Sequence, residues 1–207
     1  MFYITYPANL AISLLIAIPK KGNLSLPKNF RGIQMLQALA ALYDRVITVR
    51  LEKWIKICYE QSAFQKLKSA IHQLFTIRIL IEIAKNTKTS LYIGLFDLEK
   101  AFDKVSRLHL LKKLVRLGIG NCMLQAIVRL YTATCCILSH GGKYSDIFRT
   151  FTGILQGASS LALLFIVFID DLVQHLKEKC NPEPILKDLG CLLYADGTLQ
   201  PSKFGRT

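Results

Sequence analysis

At 207 residues, with 52% hydrophobic residues and a mean hydropathy of +0.33, the chain can build a real core and is too apolar to be disordered. Its 27 Lys and Arg against 14 Asp and Glu leave a net charge of +13, which favours a polyanionic partner, nucleic acid before an acidic membrane surface. Basic structural proteins share that balance, so charge narrows the field without closing it.

The N-terminal stretch Met1–Ile18 is apolar but has no basic start, and Pro7 and Asn9 interrupt it. Its clean part, Leu10–Ile18, is about half of the ~20 residues a membrane span needs, so a buried strand or helix is expected and no membrane anchor. Pro19–Asn23 reads as a turn. Leu36, Leu39, Tyr43, Val46, Ile47, Leu51 and Trp54 recur at helical spacing and predict a helix over Gln34–Ile57. Ala70–Lys85 reads as a second helix, and Leu91–Phe96 as a buried strand ending at Asp97.

Lys104–Leu117 is a predicted helix stopped by Gly118, and Asn121 is a suitable cap for another running to Tyr131. Ala133–Ser139 and Asp146–Thr152 flank Gly141-Gly142 as a predicted hairpin. Ser159–Lys179 is a strongly apolar helix entered through Gln156-Gly157; Cys180–Asp188 is a loop and Gly190–Tyr194 a strand. No repeat, low-complexity segment or linker divides the chain. The order is α+β, with acids at strand ends. The cysteines at 58, 122, 135, 136, 180 and 191 include no Cys-x-x-Cys, and the histidines are scattered. Zinc is therefore not expected, and a reduced, intracellular setting is.

Two acids stand out. Asp97 ends the run Leu95-Phe96 and Asp196 ends Leu192-Leu193-Tyr194-Ala195. Two strand-borne carboxylates brought together can hold a pair of divalent ions for phosphoryl transfer, and carboxylate oxygens are suitable hard ligands for Mg²⁺. Taken singly, each is equally explained as a turn residue after a strand.

Longer motifs surround them: Ile18-Pro19-Lys20-Lys21-Gly22-Asn23, Asn29-Phe30-Arg31-Gly32-Ile33, Glu60–Phe64, Phe96–Asp103 with Val105, Leu155-Gln156-Gly157, Leu163-Leu164-Phe165 with Asp171-Leu172, and Tyr194-Ala195-Asp196. In order and spacing, over nearly the whole chain, they resemble the reverse transcriptase domain of non-LTR, LINE-like retrotransposons. The resemblance implies an α+β fold: the fingers (1–90) and palm (91–207) of a right-hand polymerase, with an antiparallel palm sheet packed on helices. Residues 1–207 would form a single partial domain without a thumb, the chain stopping at Thr207 soon after Asp196.

The implied activity is RNA-directed DNA synthesis on an RNA template and DNA primer from deoxynucleoside triphosphates, with Mg²⁺ or Mn²⁺. Asp97 and Asp196 would be the catalytic metal ligands, helped by the Leu98 carbonyl. Phe102 would lie under the incoming sugar, Gln156 and Gly157 against the nascent base pair, and Arg31 and Lys68 would be nucleotide-binding cations. A core aromatic explains Phe102 without that role, and a helix-entry turn explains Gln156-Gly157. Glu99 and Asp103 read as solvated or paired near a helix start, and Asp170-Asp171 as part of a helix.

Departures from the family pattern sit at the chemistry. Gly197 replaces the last acid of Tyr-Ala-Asp-Asp, and Ala41 stands where Lys is common. Ala63-Phe64-Gln65-Lys66-Leu67-Lys68 replaces Gly-Phe-Arg-x-Gly-Arg, and Ala158–Ala162 replaces Cys-Pro-Leu-Ser-Pro. These changes remove phosphate-binding charge and turn-defining residues, so weak or absent polymerase activity is expected. The alternative is a non-catalytic nucleic-acid-binding remnant of such an enzyme. A membrane-associated protein using Met1–Ile18 is a further rival.

Overall fold

The computed structural model describes residues 7, 10–58, 60–65, 67–179, 192–194 and 197–202, the last two segments as backbone. The described strands are β1 (Ile12–Pro19), β2 (Phe30–Met35), β3 (Tyr92–Asp97), β4 (Cys135–His140), β5 (Lys143–Tyr144), β6 (Phe148–Arg149), β7 (Leu192–Tyr194) and β8 (Gly197–Ser202). The helices are α1 (Ala38–Glu52), α2 (Ala70–Asn86), α3 (Arg107–Arg116), α4 (Asn121–Ala133) and α5 (Leu161–Lys179). They fall into two compact units, one of Met1–Ile55 with Phe102–Leu164, the other of Lys56–Ala101 with Phe165–Thr207.

The first unit is built on a mixed sheet. β1 pairs antiparallel with β2 (Ile16 opposite Ile33) and parallel with β4 (Leu14 opposite Ile137). β4 turns through Gly141 and Gly142, both at positive φ, into β5, while β6 pairs with its beginning. Ser13, at the buried centre, donates its hydroxyl to the Cys135 carbonyl at 2.8 Å and accepts from the Gln34 amide at 2.6 Å, so the polar groups inside the sheet are matched. The core combines Leu51 of α1, Leu110 and Leu114 of α3, Ile127 and Leu130 of α4, and Leu155, all fully buried. Gly118 at φ +77° ends α3.

The second unit contains α2, the three-stranded antiparallel sheet β3-β8-β7 and the apolar body of α5, where Phe165, Ile166, Val167, Ile169 and Val173 are buried. Among the described residues no helix is long and apolar enough to cross a membrane.

Several expectations need correcting. The predicted first helix begins at Ala38, and Gln34 lies in β2, whose short stretch FRGIQM mixes polar and apolar residues too irregularly to announce a strand. β8 was hidden the same way, in GTLQPS. Gly120, in extended conformation, caps α4, so Asn121 is the first helical residue. The arm predicted over Asp146–Thr152 pairs only at Phe148–Arg149. β3 is not buried: Leu95 is 77% and Phe96 56% exposed, so both its faces carry accessible apolar side chains. The predicted loop over Cys180–Asp188 lies outside the described residues.

α1 differs in a more instructive way. Its buried face is Ala40, Asp44, Ile47, Thr48 and Leu51, while the predicted face members Leu39, Val46 and Trp54 are exposed. Ile47 and Leu51 belong to both faces, so the buried face is turned by somewhat less than the ~100° between neighbouring residues. Replacing fully buried Leu51 with Ala is expected to cost about 2–5 kcal/mol in urea unfolding. Leu39→Ala, on the predicted but exposed face, should stay within about 0.5 kcal/mol; equal losses would contradict this orientation.

Candidate active site

Asp97 is the last residue of β3, and the register of the small sheet runs from Tyr92 opposite Ser202 to Asp97 opposite Gly197. Gly197 also pairs with Tyr194 of β7, so Ala195 and Asp196 are the two residues between β7 and β8. Asp196 lies outside the described residues. What the backbone does place is Asp97 across from the residue that follows Asp196 in the chain. Asp97 and Leu98 are exposed. Among the described residues no group of three or more His, Cys, Asp or Glu gathers at metal-binding distance.

A second corner forms within the first unit, where the Phe102–Val105 segment meets the segment that leads into Gln156 and Gly157. The Ile154 amide donates to the Phe102 carbonyl at 3.0 Å, and the Gly153 amide to the Val105 carbonyl at 2.9 Å. The Gln156 side-chain amide donates to the Asp103 carboxylate at 2.5 Å, so Asp103 is paired, as read from the sequence. On the other side of the turn, the Gln34 amide of β2 donates to the Gln156 carbonyl at 2.6 Å. Gly157 sits at φ +115°, and a Cβ there would lie closer than 3.0 Å to the Gln34 carbonyl oxygen. Glycine is required twice over, by conformation and by space.

Arg107, at the start of α3, holds the approach to this turn. Its Nε donates to the Gly153 carbonyl at 2.8 Å, and Nη2 donates to the Thr150 hydroxyl at 2.8 Å and the Thr152 carbonyl at 3.2 Å. Nη1 reaches the carbonyls of Thr150 and Tyr131, and the guanidinium lies 5.2 Å from the centre of the Tyr131 ring. Burial lowers the guanidinium's pKa from its ordinary value. Arg107 and the buried pair Asp44 and Ser160, described below, escaped the sequence reading. The available signal was an acid, Asp44, four residues from Ala40 and from Thr48, at buried-face spacing.

The candidate cations divide. Lys20 and Lys21 in the β1–β2 turn and Arg31 on β2 are exposed in the first unit. In the second unit Lys68 donates to the Gln61 carbonyl at 3.3 Å, the same carbonyl that accepts from Gln65 at 2.6 Å. The residues standing at the family's two Arg positions thus brace their own loop. Asp170 is structural: it accepts from the Cys58 amide at 3.1 Å, and burial together with Asp170 pushes the Cys58 thiol up to about 12.

Residues 18–203 match the sequence pattern of the reverse transcriptase (RNA-dependent DNA polymerase) family. The chain belongs to that family. Among its relatives, a Pol polyprotein of the type-1 retrotransposable element R2 of Popillia japonica is 27% identical over 161 residues, 77% of this chain and 23% of that protein. The uncharacterized 149 kDa protein of transposon TX1 from Xenopus laevis is 25% identical over 175 residues, 84% of this chain and 13% of that one. The chain thus spans less than a quarter of the length of these non-LTR retrotransposon proteins.

Its fold is similar to part of the telomerase of Candida tropicalis in its apo form, with a TM-score of 0.65 and 13% identity, covering 98% of this chain and 40% of that one. The same telomerase bound to a fragment of telomeric RNA gives 0.64 at 14% identity, covering 97% of this chain and 37% of the other.

The turn yields a direct test. Gly157→Ala should destabilise the protein by about 1–3 kcal/mol, since the backbone strain cannot relax against Gln34. Gly142→Ala, at φ +75° with open space around it, should cost about 1–2 kcal/mol from conformation alone. Chemical denaturation of both variants checks the order; a milder effect at 157 would mean that the turn is not clamped.

Proposed function

We propose that this chain carries the catalytic corner of an RNA-directed DNA polymerase, with activity strongly reduced by its own substitutions. The observation that supports it is the register that sets Asp97 across from the residue following Asp196. The donor set fits hard divalent ions: an exposed strand-end carboxylate, a second acid next in sequence to Gly197 and the Leu98 carbonyl are all oxygen ligands. Asp97, Asp196 and Leu98 would hold Mg²⁺ or Mn²⁺, which when bound activates a primer hydroxyl and neutralises the departing pyrophosphate. Phe102 would support the incoming sugar, and the Gln156–Gly157 backbone would lie flat against the nascent base pair. Arg31 and Lys68, with Lys20 and Lys21, would meet phosphates. RNA template, DNA primer and deoxynucleoside triphosphates are the partners.

Gly197 sets the size of the defect. A missing carboxylate removes a full negative charge beside two dications, worth roughly 4 kcal/mol at about 4 Å and an effective dielectric near 20. That is on the order of a thousandfold in rate. The second reading, a non-catalytic nucleic-acid-binding protein of the same fold, is favoured by the bracing of Gln65 and Lys68 on Gln61.

Template-directed primer extension by the purified protein separates the two. Extension that is slow, needs Mg²⁺ or Mn²⁺ and disappears in Asp97→Ala supports a residual polymerase. Binding of an RNA–DNA duplex without extension supports the remnant, and its affinity should fall by about 0.9 log unit per log salt for each phosphate neutralised. Vigorous extension by the unmodified protein would overturn the assigned cost of Gly197, and salt-independent binding would remove the nucleic-acid role.

A further inference from the structure

Asp44 is completely buried in the middle of α1, and so is Ser160 at the entrance to α5. One carboxylate oxygen of Asp44 accepts the Ser160 amide at 3.1 Å, and the other accepts the Ser160 hydroxyl at 2.5 Å. Both lie in the same compact unit. A buried carboxylate is costly to keep in a protein, and here it is spent on one residue of a turn. Its place at the start of a helix is favourable, because the first amides carry the positive end of the helix dipole.

Ser160 is tied closely to the turn before it. The Ala158 amide donates to the Leu155 carbonyl at 3.1 Å, closing the turn over Gln156 and Gly157, and the Leu161 amide donates to the Ala158 carbonyl at 3.2 Å. Ser160 thus follows within three residues of Gly157, where the turn lies against Gln34 too closely for a Cβ and is bonded to it through the Gln156 carbonyl. This segment also lacks the prolines of the Cys-Pro-Leu-Ser-Pro pattern, with Ser159 and Ala162 at their positions and Ser160 where that pattern has Leu. Prolines restrict φ and make such a segment stiff without any tertiary contact. A bidentate polar contact to a rigid helix supplies the restraint by another route.

We infer that Asp44 and Ser160 form a latch that positions the Gln156–Gly157 turn, and so the surface offered to a nucleotide. The latch stands on the geometry alone; its bearing on a nucleotide rests on the polymerase reading above. Asp44 and Ser160 are positioning residues, since neither touches a reacting group.

The test uses the full chain with Asp44→Ala, Ser160→Ala, the double variant and Asp44→Asn. Backbone hydrogen exchange over Leu155–Ser160 should quicken about ten- to a hundredfold in Asp44→Ala and Ser160→Ala, the range set by loss of a hydrogen bond to a charged group. Exchange over Leu110–Leu114 should change less than about twofold, and the double variant should resemble the single ones because the two side chains act together. Asp44→Asn should retain most of the protection, since its carbonyl can take the amide and the Ser160 hydroxyl can turn to accept. A uniform increase across the core, or none at the turn, would overturn the latch. If Asp44→Ala does not fold, Ser160→Ala and Asp44→Asn decide the matter alone.

Deoxynucleoside triphosphate affinity on a bound RNA–DNA template–primer then tests the consequence. A drop of about tenfold or more in Ser160→Ala, with template–primer affinity unchanged, supports positioning. Unchanged nucleotide affinity despite an opened turn overturns that role. If the unmodified protein binds no template–primer, the polymerase reading fails while the exchange result still decides the latch.

Discussion

The constraint on which the first unit depends is the close approach of the Gln156–Gly157 backbone to Gln34 of β2. Hydrogen bonding from the Gln34 amide fixes the turn's height, and the missing Cβ at Gly157 lets the carbonyl of Gln34 come in beneath it. Gln34 is itself held from the other side, through its side chain, by Ser13 and the Cys136 sulfur in the middle of the sheet. Sheet, turn and the Phe102–Val105 segment become one piece, because Ile154 and Gly153 bind the carbonyls of Phe102 and Val105. Rigid elements hold a functional turn more accurately than other loops would.

The small sheet works by a different physics. Strand pairing alone settles that Asp97 faces the residue next to Asp196, because a register shift of one residue would turn every side chain of β3 to the opposite face. Position is thus preserved by backbone hydrogen bonds that are indifferent to side-chain charge. Gly197 keeps its backbone pairings with Asp97 and Tyr194 without a side chain.

Much of this was legible beforehand where the pattern is long and periodic. α2 begins at Ala70 as predicted, and α5 follows from its apolar run. The strand before Asp97 was visible in Tyr92–Phe96, though its exposure was not, because an apolar run does not say what covers it. The contacts of the Phe102–Val105 segment with Gly153, Ile154 and Gln156 are tertiary, and no local pattern announces them. β2 and β8 were missed because each is a short strand carrying Gly, Gln or Pro, and its identity comes from the neighbour it pairs with. α1 misled for a related reason. Its apolar residues point to one face, whereas Asp44, which binds Ser160, lies on the side that is buried.

The turn is gripped largely through its main chain. Arg107 reaches the main-chain oxygens of Thr150, Thr152 and Gly153, and Gln34 reaches that of Gln156; none of these contacts depends on the side chain of its acceptor. A planar guanidinium with five donors suits this purpose better than an ammonium, which offers a point charge and no fixed fork. Substitutions at 158, 159, 160 and 162 therefore meet a backbone already defined from two sides. Apart from Gln156, whose side chain bonds Asp103, side-chain chemistry enters the turn at Gly157 through its missing Cβ and at Ser160 through its hydroxyl, where the identity of the residue feeds back on its shape. Those two positions lie three residues apart on a single short segment, and between them they connect the β2 sheet edge to the entrance of α5.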